Sequence, residues 1–145
     1  MFDLRYPADV RQDPEGKDWV VRFPDLKGAN TGGFSLDEAL REAPDCLGSY
    51  LARLLTQRKP VPEPSATRKK QHLIPVPFWV APKIALYQAM REQAISNSEL
   101  ARRLNVGETV VRRMLDPDHA TKATRIEAAL LAVGKRLFVA VDDAA

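Results

Sequence analysis

Apolar positions alternate at the start of this chain, recur at steps of three and four from Ser35 onward, and alternate again briefly after Gln71. In the first stretch Phe2, Leu4 and Tyr6 alternate with Asp3 and Arg5, the period of a strand with one buried face. Asp13 to Gly16 is turn chemistry, and beyond it Trp19, Val21 and Phe23 fall on one face with Val20 and Arg22 on the other. The two segments predict a β-hairpin. Pro24 to Gly33 carries three glycines and a proline among polar residues, which predicts a loop with a short edge strand near Asn30 and Thr31.

At Ser35 the helical spacing begins. Ser35 and Glu38 have the capping-box form, in which the serine side chain accepts from an orphan backbone N–H and the glutamate reaches back to the serine's own N–H. Leu36, Ala39, Leu40, Ala43, Leu47, Tyr50, Leu51 and Leu54 then form a stripe suited to cover the hairpin, with an end near Gln57. Pro44 removes the N–H that would reach the carbonyl of Leu40, so a kink or a new first turn is expected there. Arg58 to Gln71, with three prolines and a basic run, reads as an exposed connection. In the stretch from His72 to Val80, Pro75 and Pro77 cannot donate to a ladder, which predicts an edge strand closing the first unit.

From Pro82 the pattern is helical throughout. Leu86, Ala89 and Met90 give one helix its apolar face, stopping near Ile95. Ser96 opens the next with a second capping box to Glu99; Leu100, Ala101 and Leu104 face inward and Arg102 and Arg103 outward. Asn105 suits a left-handed turn position, Val106 is expected to anchor the turn, and Val111, Met114 and Leu115 form the inner face of a second short helix. A third capping box is expected at Thr124, and Lys135 to Ala145 reads as a short strand with no partner in its own domain.

The spacing of the two short helices matches a helix-turn-helix that enters the DNA major groove. A helical hairpin that only packs is the competing account. In the DNA-binding reading Glu108, Thr109 and Arg113 reach base edges, Asn97, Lys122 and Arg125 lie near phosphates, and Arg112 serves either purpose. The C-terminal segment would pair with a second copy, giving a homodimer or a higher even oligomer with two recognition helices, or would pack on the first helix of its own chain.

Charge supports a division of labour. Residues 1–66 hold nine Lys/Arg against eleven Asp/Glu, whereas residues 67–145 hold thirteen against eight. The 145 residues, 45% of them hydrophobic, are enough for a core, and the expected class is α+β: a small antiparallel sheet with one packed helix, then an all-α domain with a short C-terminal strand. The expected boundaries are 1–66 for the first domain, 67–80 for the connection and final edge strand, and 81–145 for the DNA-binding and dimerisation domain. No apolar run of about 18 residues exists and the N-terminus lacks a signal-peptide pattern, so a cytoplasmic location without membrane association is expected. Cys46 stands alone and is expected to be a small buried or half-buried residue; His72 and His119 give no zinc spacing, and no metal or other cofactor is expected.

The order of segments resembles the HicB antitoxin family. The stretches YPADV, DWVVRFPDLKGANTGGFSLDEALREA and KPVPEPS are similar to that family's hairpin, FPDLPG turn, glycine-containing loop, T/S-x-x-E-A helix and proline-rich exit. The later helices resemble the helix-turn-helix domain carried by one branch of it. Ala29 to Gly33 departs from the cysteine and TQG-like triplet usual after the turn. The resemblance implies a partial RNase H-like fold that binds and blocks a HicA toxin, a small mRNA-cleaving protein, while the second domain represses the operon encoding both by binding operator double-stranded DNA. Candidate toxin contacts are Trp19, Phe23, Asp25 and Asn30. Two other functions compete. A nuclease would need carboxylates converging on metal ions, but Asp3, Asp9, Asp18 and Asp25 are scattered, so no catalytic residue is assigned. A ligand-gated repressor would need an enclosed pocket, for which one helix on a small sheet leaves little volume.

Overall fold

The computed structural model describes residues 3–144. Phe2, the first residue of the expected opening strand, lies outside them. The observed hairpin pairs β1 (Arg5–Gln12) with β2 (Trp19–Arg22), and the expected edge strand is β3 (Asn30–Gly33). With β4 (His72–Pro75) they form an antiparallel sheet in the order β3-β2-β1-β4. β1 is shared by halves: Arg5 to Ala8 pair with β4, and Asp9 to Gln12 with β2. The Val76 N–H donates to Leu4 O on the β1 side, so the alternation of the pleat turns the ring nitrogens of Pro75 and Pro77 toward the open edge, where no ladder donor is needed. The strand is shorter than expected; Pro77 begins a turn that carries the exposed Phe78 and Trp79 into the next helix.

α1 (Leu36–Thr56) lies across β3 and β2 and reaches β4. Ser35 Oγ accepts from Glu38 N, as expected, but Glu38 Oε2 accepts from Phe34 N and not from the serine's own N–H. The box closes one residue earlier. The helix passes through Pro44 without a break, ending at Gln57. Its buried stripe is Ala39, Ala43, Leu47, Gly48, Leu51 and Leu55, so Leu55 takes the place expected for Leu54. A Cβ on Gly33 would lie 2.7 Å from Ala39 N, and one on Gly48 would lie 2.9 Å from Pro77 Cγ. These glycines set how closely α1 approaches β3 on one side and the Pro77 turn on the other.

Residues 58–71 form the mostly exposed connection that their composition suggested, but not a loose one. Val61 is buried, and the segment is tied down from both sides. Tyr6 Oη donates to Pro62 O at 2.6 Å, Tyr87 Oη to Lys59 O at 2.8 Å and Gln88 Nε2 to Val61 O at 3.0 Å, while Asp25 Oδ2 accepts from Ser65 N and Ser65 Oγ. Proline explains the pattern. Three prolines remove backbone donors and leave carbonyls, so the strap is anchored by side chains that donate. Burial raises the Tyr6 hydroxyl well above its ordinary pKa, with the charges of Asp25 and Glu63 acting the same way, which keeps the donor protonated.

The helical region comprises α2 (Ala81–Glu92), α3 (Asn97–Leu104), α4 (Glu108–Leu115) and α5 (Ala123–Ala132). Pro82 occupies the first turn of α2, as expected. α2 serves two cores, because Ile84 and Tyr87 join Val80 in the core beneath the sheet, while Leu86, Ala89 and Met90 pack with Leu100, Val111, Ile126 and Leu130. The capping box expected at Thr124 is absent: Lys122 is the N-cap of α5 and no side chain caps it. The expected C-terminal strand is also absent. Residues 135–144 form no ladder, since a strand needs a neighbour for its N–H and C=O groups and none lies beside it in a single chain. Leu137 packs partly on the helical core, and Phe138, Val139 and Val141 are exposed.

Candidate nucleic-acid interface

The turn between α3 and α4 forms as its residues require. Asn105 adopts φ 54° and ψ 47°, the left-handed conformation that asparagine tolerates, and its N–H closes on the end of α3. Val106, expected to anchor this turn, is 37% exposed, so the anchor is supplied instead by Leu100, Ala101 and Val111 beneath it. Ser96 Oγ accepts from Glu99 N, but the second half of this capping box does not close. The Glu99 carboxylate is held by Arg102 at 2.6 Å and Arg103 at 3.0 Å. Those hydrogen bonds bring its pKa from 4.5 to about 2. Arg103 also donates to Ala132 O at the end of α5.

The cations of the following segment are placed differently. Arg112, Arg113, Lys122 and Arg125 are all exposed, and among the described residues none is in an ion pair. Glu108 and Thr109 share the exposed side of α4 with Arg112 and Arg113, and Arg112 Nη2 donates to Thr109 Oγ1 at 3.2 Å. Arg113, Lys122 and Arg125 line one open groove of about 210 Å³ with His119, which the sequence pattern did not single out. Asn97 stands apart from that groove at the start of α3, half-buried. Arg102 and Arg103 are therefore taken up by Glu99, while Arg112, Arg113, Lys122 and Arg125 have no carboxylate partner among the described residues.

A residue that sequence reasoning missed lies behind α4. Lys83, in the first turn of α2, is 2% exposed, the one buried charged side chain among the described residues. Its Nζ donates to Asp116 O at 2.8 Å, Thr121 Oγ1 at 2.9 Å and Arg113 O at 3.1 Å. Burial lowers its pKa, against the opposing charge of Asp116. Position alone could not reveal it, because a lysine in the first turn of an amphipathic helix ordinarily points to water.

The candidate toxin contacts separate on inspection. Phe23 is 1% exposed and belongs to the core, which corrects its assignment as a contact: the turn after β2 folds its ring inward beside Leu26 and Ala29. The Asp25 carboxylate is occupied by Ser65 of the strap. Trp19 is half-buried against the core beneath the sheet, and Asn30 is exposed on the edge strand. Asn30 O accepts from Cys46 Sγ at 3.4 Å, and burial raises the Cys46 thiol pKa, in keeping with a half-buried structural cysteine. Phe34, 82% exposed directly after β3, is an apolar surface residue that sequence reasoning passed over.

Among the described residues no group of three His, Cys, Asp or Glu side chains could hold a metal ion, and no helix is long and apolar enough to cross a membrane. Comparison with known proteins gives the family. Residues 5–85 match the family model for the HicB_like antitoxin of bacterial toxin-antitoxin systems. The chain is 36% identical over 93% of its length to Antitoxin HicB 2 of Photorhabdus laumondii, covering 94% of that protein. It is 34% identical over 92% of its length to Antitoxin HicB of Escherichia coli strain K12 (96% of that protein) and 31% identical over 99% to Antitoxin HicB of Pseudomonas fluorescens (97% of that protein). The family match ends within α2, whereas these relatives extend through the later helices as well. The sheet, its covering helix and the helices that follow it are thus those of an antitoxin: the chain belongs to the HicB-like antitoxin family of bacterial toxin–antitoxin systems.

Proposed function

We propose that this antitoxin neutralises a HicA-type mRNA-cleaving toxin with its sheet unit and represses its own operon by placing α4 in the major groove of operator DNA. The observation that carries the second half is the contrast among arginines: Arg102 and Arg103 are committed to Glu99, while Arg112, Arg113, Lys122 and Arg125 stay unpaired beside Glu108 and Thr109. Leaving four cations without carboxylate partners suits a surface that neutralises phosphates. Base readout falls to Glu108, Thr109 and Arg113, and phosphate contact to Lys122, Arg125 and, from the start of α3, Asn97.

In this reading the toxin-binding unit runs from 1 to 66 with 67–80 completing its sheet, and 81–145 carries DNA binding and dimerisation. The open edge strand β3, with exposed Asn30 and Phe34 and the half-buried Trp19 beside it, is where the toxin would sit. A homodimer, covering Phe138, Val139 and Val141 of each chain with the other copy, would present two copies of α4 to a two-fold operator. The experiment is co-expression with a small basic toxin encoded beside this chain, followed by titration of the purified protein and complex against a duplex of the shared promoter and a scrambled duplex. Co-purification, relief of toxicity and preference for the promoter are expected. A protein that rescues growth but binds both duplexes alike would remove operator reading, and one that selects the promoter but not the toxin would remove neutralisation.

A further inference from the structure

We propose that Lys83 is a positioning residue for α4, its buried ammonium clamping the end of that helix and the 116–121 loop so that Arg113 and the Lys122–Arg125 side of the groove meet one DNA ligand together. This rests on the operator-binding reading above. The geometry is specific. Arg113 O and Asp116 O lie at the C-terminal end of α4, where the helix carries its negative pole, and the ammonium donates to both, adding to the backbone N–H groups of Asp116 and His119 that also reach them. Its third bond, to Thr121 Oγ1, fastens the far end of the loop just before Lys122, the N-cap of α5. Thr121 Oγ1 is also 3.3 Å from Arg113 O and 2.9 Å from His119 Nδ1, so the clamp connects three of the segments that line the groove.

Stability does not account for a lysine here. Burying an ammonium carries a desolvation penalty, and a well-packed apolar side chain of similar volume is often neutral or stabilising in its place. No carboxylate oxygen is among its three acceptors. What the ammonium supplies that a methionine cannot is three directed bonds at fixed angles, which set the distance between the exposed cations on either side of the loop.

The test uses the full chain with Lys83→Met and Thr121→Val. Each is measured for thermal midpoint, for affinity to the promoter and scrambled duplexes at two salt concentrations, and for amide hydrogen exchange over residues 116–121 without DNA. Lys83→Met is expected to remain folded, to exchange faster over the loop, and to lose about tenfold in promoter affinity, the value of one misplaced bidentate base contact, with a smaller loss on scrambled DNA. Thr121→Val, which keeps the lysine and removes one acceptor, should move both readouts the same way by less, and it decides the matter if Lys83→Met fails to fold. Unchanged exchange and unchanged promoter preference in a folded variant would overturn the clamp and leave Lys83 as packing alone. A wild-type protein that does not distinguish the duplexes would instead overturn the operator reading, and exchange over the loop would still decide whether the clamp exists.

Discussion

The two cores of this protein are built on the same helix and use polar groups in opposite ways. Beneath the sheet, polar side chains point inward to hold a proline-rich strap: Tyr6, Tyr87 and Gln88 donate to its carbonyls, and Asp25 accepts from Ser65. Among the helices a buried ammonium ties α2 to the end of α4, Gln93 and Arg103 donate to carbonyls at the end of α5, and the polar side chains of α4 face water. Phe23 and Asp25 of the turn after β2 are therefore spent on structure, while a short helix with a narrow apolar stripe leaves its other face available.

The largest effect tests whether the two cores are energetically separate. Leu100→Ala deletes a fully buried side chain from the helical core, and a loss of about 2–5 kcal/mol is expected. Trp19 and Trp79 both lie outside that core, so tryptophan fluorescence reports on the sheet unit, while far-ultraviolet circular dichroism reports on all the helices, those of the helical core together with α1. Because α2 contributes Ile84 to one core and Leu86 to the other, both signals should shift together in urea. An early dichroism transition with an unmoved fluorescence midpoint would show two independent units.

Next in size is the exposed face of α4. Arg113→Ala is expected to reduce discrimination between promoter and scrambled DNA by about 1–3 kcal/mol, and Lys122→Ala to weaken both and lower the salt slope by about one. Equal losses on the two duplexes for Arg113→Ala would move that residue from base reading to phosphate contact.

Asp25 sharpens the contrast between structural and partner-facing polar groups. Asp25→Ala removes the acceptor of both Ser65 bonds and should lower stability by about 1–2 kcal/mol, measured by chemical denaturation. Should stability hold while toxin affinity falls, the carboxylate would be a contact after all. Of similar or smaller size is the capping comparison: Ser35→Ala should cost about 1 kcal/mol, and Thr124→Ala less than about 0.5 kcal/mol because nothing is capped there.

The smallest effect concerns acid. Glu99 has its pKa lowered from 4.5 to about 2 by Arg102 and Arg103, so its contribution is fully present above 4.5 and is lost as pH falls toward 2. The difference in thermal midpoint between wild type and Glu99→Gln should be constant above that window and vanish within it. A difference that persists at the acid end would assign the effect to packing.

Legibility followed the range of the forces involved. The alternation around Tyr6, the cap at Ser35, the left-handed turn at Asn105 and the exposed set on α4 depend on neighbours within a few residues, and all are readable from the chain. The capping box at Thr124 failed because the pattern requires the serine or threonine to stand just outside the helix, and α5 starts one residue before it. The connection at 58–71 was readable as exposed, but its anchoring was not, because composition records the missing donors of its prolines and not the donors brought to it from Tyr6 and Tyr87. The final strand does not form alone, since no hydrogen-bonding neighbour lies beside it in the same chain.

Local periodicity by itself determined the order of strands and helices as far as α5 and which side chains of α4 face water, because each depends on spacing along one element. Only the tertiary structure decided that α2 belongs to both cores, that Phe23 and Asp25 are used internally, that Arg103 is committed while Arg113 is free, and that Lys83 is buried. Those outcomes depend on which donors and acceptors meet across long stretches of intervening chain, a separation over which no periodicity carries information.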